Sequence, residues 1–161
     1  RVVTVKGLKT SNFEELFSLS RPVPTIDIPF CELCSGLNPM SSTISDNGTT
    51  ELCEPDRQME NIPDWHSDNE GDGGNITLEI GPARNPFLVA DYCSSENCSQ
   101  IGGHPTWVQD SEYPLCQSCG RTMLFLMQID GNQLYCIYPF MYYFFICDLC
   151  PDQLAVSNQH T

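Results

Sequence analysis

Six of the ten cysteines in this chain are arranged as three Cys-x-x-Cys pairs: Cys31 with Cys34, Cys116 with Cys119, and Cys147 with Cys150. Two thiolates at this spacing reach one tetrahedral metal ion through a tight turn. A disulfide framework has no need to repeat the spacing, and a thiol oxidoreductase uses a single reactive pair at a helix N-terminus. Glycosylation triplets at Asn47, Asn75 and Asn97 point towards secretion. Such triplets are frequent by chance, however, and the third runs straight into Cys98. The repeated pairs therefore predict zinc rather than disulfides, and with it a reducing, cytoplasmic setting.

Cys116, Cys119, Cys147 and Cys150 form the predicted first site. Each pair makes a knuckle, and the stretch between them reads as a ribbon that folds the second knuckle back onto the first. "TMLFLMQI" is one strand of that ribbon, Asp130-Gly131 its turn, "QLYCIY" the return strand, and "MYYFFIC" a third strand. Gly120 supplies the backbone freedom that the turn after a first knuckle often needs. Four thiolates close a tetrahedron and leave no position for water or substrate, so the zinc is expected to be structural. Such sites contribute about 10–16 kcal/mol in small peptides, ample for a thin core. A second zinc is assigned to Cys31, Cys34, Cys93 and Cys98, with Cys53 competing for the place of either of the last two. Cys136, in an apolar run, reads as a small buried hydrophobe.

The length fits one domain over 1–161, and the pattern along it predicts a sheet-rich α+β fold with a zinc-ribbon-like β-hairpin and zinc knuckles. The chain opens on Arg1 rather than Met, so residues are expected upstream. "RVVTVKGLKT" alternates as a strand. Ser11 is a plausible N-cap, with Phe13, Leu16 and Phe17 at helical spacing behind it. "RPVPTIDIPF" is held extended by its prolines and delivers the chain to Cys31. Within the first cysteine cluster, 31–98, residues 36–75 are polar, acidic and glycine-rich and read as a flexible loop, with Trp65 folding back on the core. "ITLEIG" and "NPFLVADYC" are further strands.

Asp and Glu number 21 against 7 Lys and Arg, a formal net charge of −14. The few basic residues are scattered and form no stripe, which excludes nucleic acid as a partner, because phosphate binding needs clustered Lys and Arg. No run reaches the length of a membrane span. An acidic surface suits a basic partner protein. Catalytic candidates are few. His66 and His104 are the internal histidines, the acids Asp64, Asp68, Glu70 and Asp72 read as a solvated loop, and no phosphate-cradling motif is present.

From "IGGHPTWVQDSEYPLCQSCGRTMLFLMQID" onward the chain resembles the bacterial YwqG-like family, whose function is largely unknown. The resemblance is carried by Gly102, Gly103, Pro105, Trp107, Cys116, Cys119, Gly120 and Gln128, and by the aromatic strand "YYFFICDLC" ending in cysteines. The same string is similar to the N-terminal part of eukaryotic programmed cell death protein 2 and its relatives, which the resemblance implies act as dedicated chaperones for a ribosomal protein. It covers residues 100–150 and implies an α+β fold with considerable sheet. The expected function is thus a non-enzymatic, zinc-stabilised module that binds a basic protein, either as a chaperone or as an immunity protein against a toxin. The alternative is a hydrolase-type enzyme with a pocket near His104 and Trp107.

Overall fold

The computed structural model describes residues 2–6, 25–29, 40–44, 50–52, 76–79, 99–131, 140–150 and 152–159. These residues build two sheets. In the smaller, β1 (Val2–Lys6) lies between β2 (Thr25–Pro29), antiparallel to it, and β5 (Ile76–Glu79), parallel to it. The strands expected at "RVVTVKGLKT" and "ITLEIG" are therefore present, and the proline-flanked segment is extended as expected. The larger sheet contains β3 (Met40–Ile44), β4 (Thr50–Leu52), β6 (Gln100–Ile101), β7 (Leu124–Asp130), β8 (Met141–Ile146) and β9 (Gln153–Gln159). Its order is β4-β3-β9-β8-β7-β6, antiparallel throughout. No α-helix occurs among the described residues. The helix expected over 11–20 lies outside them, as does the strand expected at 85–93.

Two expectations change. Residues 36–75 are not wholly loop, because Met40–Ile44 and Thr50–Leu52 pair with each other and Met40–Thr43 pairs with β9. The ribbon does not turn at Asp130-Gly131. Asp130 pairs with Met141, and the Gly131 amide donates to the Phe140 carbonyl at 2.8 Å, so both residues still belong to the ladder. The strand that returns beside β7 is accordingly "MYYFFI" and not "QLYCIY", whose residues lie outside those described. The residues after the last cysteine add β9, a fully buried strand that no hydrophobic alternation announces.

Pairing across β7, β8 and β9 puts Phe125, Gln128, Tyr143, Phe145, Ala155, Ser157 and Gln159 on one face. The other face carries Tyr142, Phe144, Ile146, Leu154 and Val156, all buried. A bulge between Phe125 and Met127 leaves Leu126 as an extra residue, and its carbonyl accepts from the Gly102 amide at 2.7 Å. The chain from Gly102 to Asp110 then crosses the first face, tied down by side chains of the sheet. The Gln128 Oε1 accepts from the Thr106 amide at 2.8 Å, and the Tyr143 hydroxyl donates to the Thr106 carbonyl at 2.7 Å. The Gln159 Oε1 accepts from the Val108 and Gln109 amides, while its Nε2 donates to the Asp110 carbonyl. Those polar residues are buried because they satisfy backbone groups that would otherwise be stranded over the sheet.

Candidate metal centre

The first knuckle sits at the tip of a short ribbon. The Met123 amide donates to Pro114, Leu115 bridges Thr122, and the Cys116 amide donates to the Arg121 carbonyl at 2.8 Å. The Gly120 amide closes the turn onto the Cys116 carbonyl at 2.8 Å, with Gly120 at φ +72°. A Cβ added at Gly120 would meet no atom within 4 Å, so the requirement for glycine is conformational and not spatial. Gly120→Ala is expected to lower stability by about 1–2 kcal/mol through that left-handed backbone alone, read from a denaturant midpoint that shifts with unchanged slope.

The second knuckle is the turn between β8 and β9. The Cys147 amide donates to Gln153 at 3.2 Å, and the Gln153 amide donates to the Cys150 carbonyl at 2.8 Å. β7 leaves the first knuckle and β8 arrives at the second, with Leu124 paired to Ile146, so ladder register alone carries the two turns to the same end of the sheet. An Arg121–Asp148 ion pair of 3.6 Å joins them across solvent, worth less than about 1 kcal/mol at such exposure.

The four sulfurs converge. One ligand atom from each of Cys116, Cys119, Cys147 and Cys150 lies within 4.8 Å of the others, and Cys119 Sγ stands 3.6 Å from Cys147 Sγ. All four are free thiols. A disulfide would require about 2.05 Å. A tetrahedral site with metal–sulfur bonds of about 2.3 Å has sulfur–sulfur edges of roughly 3.8 Å, and the Cys119–Cys147 separation of 3.6 Å is close to one such edge. The group can therefore hold a metal ion on sulfur alone. Cys116 and Cys147 are buried among Met123, Phe125, Met141, Tyr143 and Phe145, Cys150 is half-buried and Cys119 is exposed.

Burial, then hydrogen bonding to Cys119 and Cys116, then repulsion from those two sulfurs push the Cys150 thiol up to about 12 in the metal-free chain. Metal uptake must displace such protons, so acidification is expected to release the ion. The sign for the metal-free chain follows from the raised value. The protonated thiol favours the folded state below about 9 and that contribution is lost as pH rises towards about 12. Unfolding of chelator-treated protein across this range, beside metal-loaded protein, measures it, and the metal-free form alone should weaken.

Of the other residues singled out in the sequence, Cys31, Cys34, Cys93, Cys98, Cys53 and Cys136 lie outside the described residues, as do His66 and Trp65. His104 is exposed, and its carbonyl accepts a hydrogen bond from Gln100 Nε2. Trp107 packs on the cysteine-bearing cluster, its ring 4.6 Å from Tyr143 and 5.3 Å from Tyr113. Nothing in one tyrosine of an aromatic run, or in a glutamine of a polar stretch, signals that Tyr143 and Gln159 bind a loop more than thirty residues away.

Comparison with known proteins adds one relative. A protein of Salmonella typhimurium called uncharacterized protein YpfL is 33% identical over 149 residues. The match covers 84% of this chain and 32% of the relative, so the chain spans about a third of that protein's length. No family model matches the chain, and no solved structure matches it.

Proposed function

We propose that this chain is a zinc-stabilised, non-enzymatic module that binds a basic partner protein in the cytoplasm. The observation that carries the reading is the convergence of four cysteine sulfurs within 4.8 Å, two of them inside the aromatic core. A metal held by four thiolates has no open position for substrate, so it fastens the fold instead of doing chemistry. Sulfur-only tetrahedral ligation suits zinc, which brings no redox chemistry of its own. A second zinc on Cys31, Cys34, Cys93 and Cys98 belongs to the same proposal.

The partner's character is drawn from charge. With a formal net charge of −14, the chain attracts basic surfaces and repels nucleic acid. Beside the knuckles, Tyr113, Leu115 and Leu149 are exposed among the acids Asp110, Glu112, Asp148 and Asp152. Apolar anchors within an acidic rim fit a partner that offers lysine or arginine around an apolar patch. The similarity to the YwqG-like family and to programmed cell death protein 2 supports a chaperone-like or immunity-like form of this binding. Among the described residues no helix is long and apolar enough to cross a membrane.

Affinity capture with the metal-loaded chain, followed by mass spectrometry and reconstitution from purified components, tests the proposal. The expected result is a basic protein that binds the loaded chain stoichiometrically, dissociates as salt is raised, and binds poorly after chelation. Reconstituted binding indifferent to both salt and chelation would overturn it.

A further inference from the structure

We propose that Cys119 is a site of oxidative modification by peroxide, and that its oxidation ends in a Cys119–Cys147 disulfide that dismantles the metal site. The inference rests on the metal-binding reading above and adds a defined chemical vulnerability to it. Three observations carry it. Cys119 is the one exposed cysteine of the four, in a run of exposed residues from Gln117 to Thr122. Cys147 Sγ is 3.6 Å from it on the opposite knuckle. Cys147 itself is only 1% exposed, so it is shielded from oxidant and suited to resolving a neighbour's oxidation.

The chemistry balances with hydrogen peroxide as the oxidant. The Cys119 thiolate attacks one peroxide oxygen, the O–O bond breaks, and a sulfenic acid and hydroxide result. The Cys147 thiolate then attacks the sulfenic sulfur, the S–O bond breaks, and a second hydroxide leaves with the disulfide. Each sulfur gives up one electron and the peroxide takes two. The sulfurs must close from 3.6 Å to about 2.05 Å, which a shift of the exposed knuckle tip supplies. Two of four donors are then spent, and Cys116 and Cys150 alone do not complete a tetrahedral site. Because Trp107 packs on the cluster holding Cys116 and Cys147, its fluorescence reports the loosening.

The test treats zinc-loaded protein with hydrogen peroxide, follows released zinc with a chromogenic chelator, and maps disulfides by peptide mass spectrometry. Zinc release should accompany a bridge between Cys119 and Cys147, and a dithiol reductant with added zinc should restore the starting state. Cys119→Ser removes a ligand and with it the zinc whose release is being followed, so the informative variant is Cys119→His, which keeps a four-donor set. It should hold zinc yet release it about tenfold more slowly under peroxide. Cys116→His, altered at a buried sulfur, should release at the parent rate. A bridge within one knuckle, a bridge from Cys119 to any other cysteine, or equal release from Cys119→His would overturn the inference. Zinc that peroxide never displaces would also overturn it, whereas protein that takes up no zinc at all would sink the metal-binding reading first.

Discussion

Cys147→Ser is expected to abolish metal binding at the four-cysteine group and to lower stability by about 3–5 kcal/mol, near the top of the range for single substitutions. Two losses combine in this variant. Serine is a poor replacement for a thiolate donor, so the metal's contribution to folding disappears. Cys147 is also part of the buried cluster with Phe125, Tyr143 and Phe145, and a hydroxyl there meets apolar neighbours. Cys119→Ser, at an exposed sulfur, removes the donor with little packing cost. Denaturant unfolding with and without chelator separates the two terms. Once metal is stripped from all three proteins, Cys119→Ser should match the parent, while Cys147→Ser should remain less stable.

Trp107→Ala is expected to cost about 2–4 kcal/mol, somewhat below the range for a fully buried tryptophan because the ring is half-buried. The indole lies 4.6 Å from Tyr143 and 6.2 Å from Phe145, with Tyr113 edge-on at 5.3 Å. It holds the Gly102–Asp110 crossing against the sheet and covers the cluster containing Cys116 and Cys147. Removing it should therefore also weaken metal retention in competition with a chelator, although Trp107 offers no donor. Trp107→Phe should recover most of both losses. A stable, fully metal-retaining Trp107→Ala would mean that the aromatic layer does not support the knuckles.

The cysteine spacing made the four-cysteine group legible, since a knuckle is a local structure and its candidate ligands declare themselves within four residues. Gly120 was legible for the same reason. The return strand of the ribbon between the knuckles is not legible, because Asp-Gly is a strong local turn signal that the β7–β8 ladder overrides. β9 was missed because its buried positions include Gln153, Ser157, Asn158 and Gln159, whose polarity imitates a solvated tail. At least two of them are buried for what they bind. Gln153 Nε2 donates to Thr43 Oγ1 at 3.0 Å, and Gln159 holds three backbone groups of the crossing loop. Such partners are remote in sequence and leave no periodic trace. Met40–Ile44 looks like loop for a related reason, as "MSSTI" gains its strand from pairing with β9 and not from its own apolarity.

Cys116, Cys119, Cys147 and Cys150 lie where they could hold a metal ion together, and the proposed function depends on their holding one. Native mass spectrometry of the parent chain beside a variant with all four changed to serine addresses it most directly. A mass difference equal to one metal ion per chain, after allowance for the substitutions and the displaced protons, is the predicted result. Equal metal content in the two proteins would contradict it.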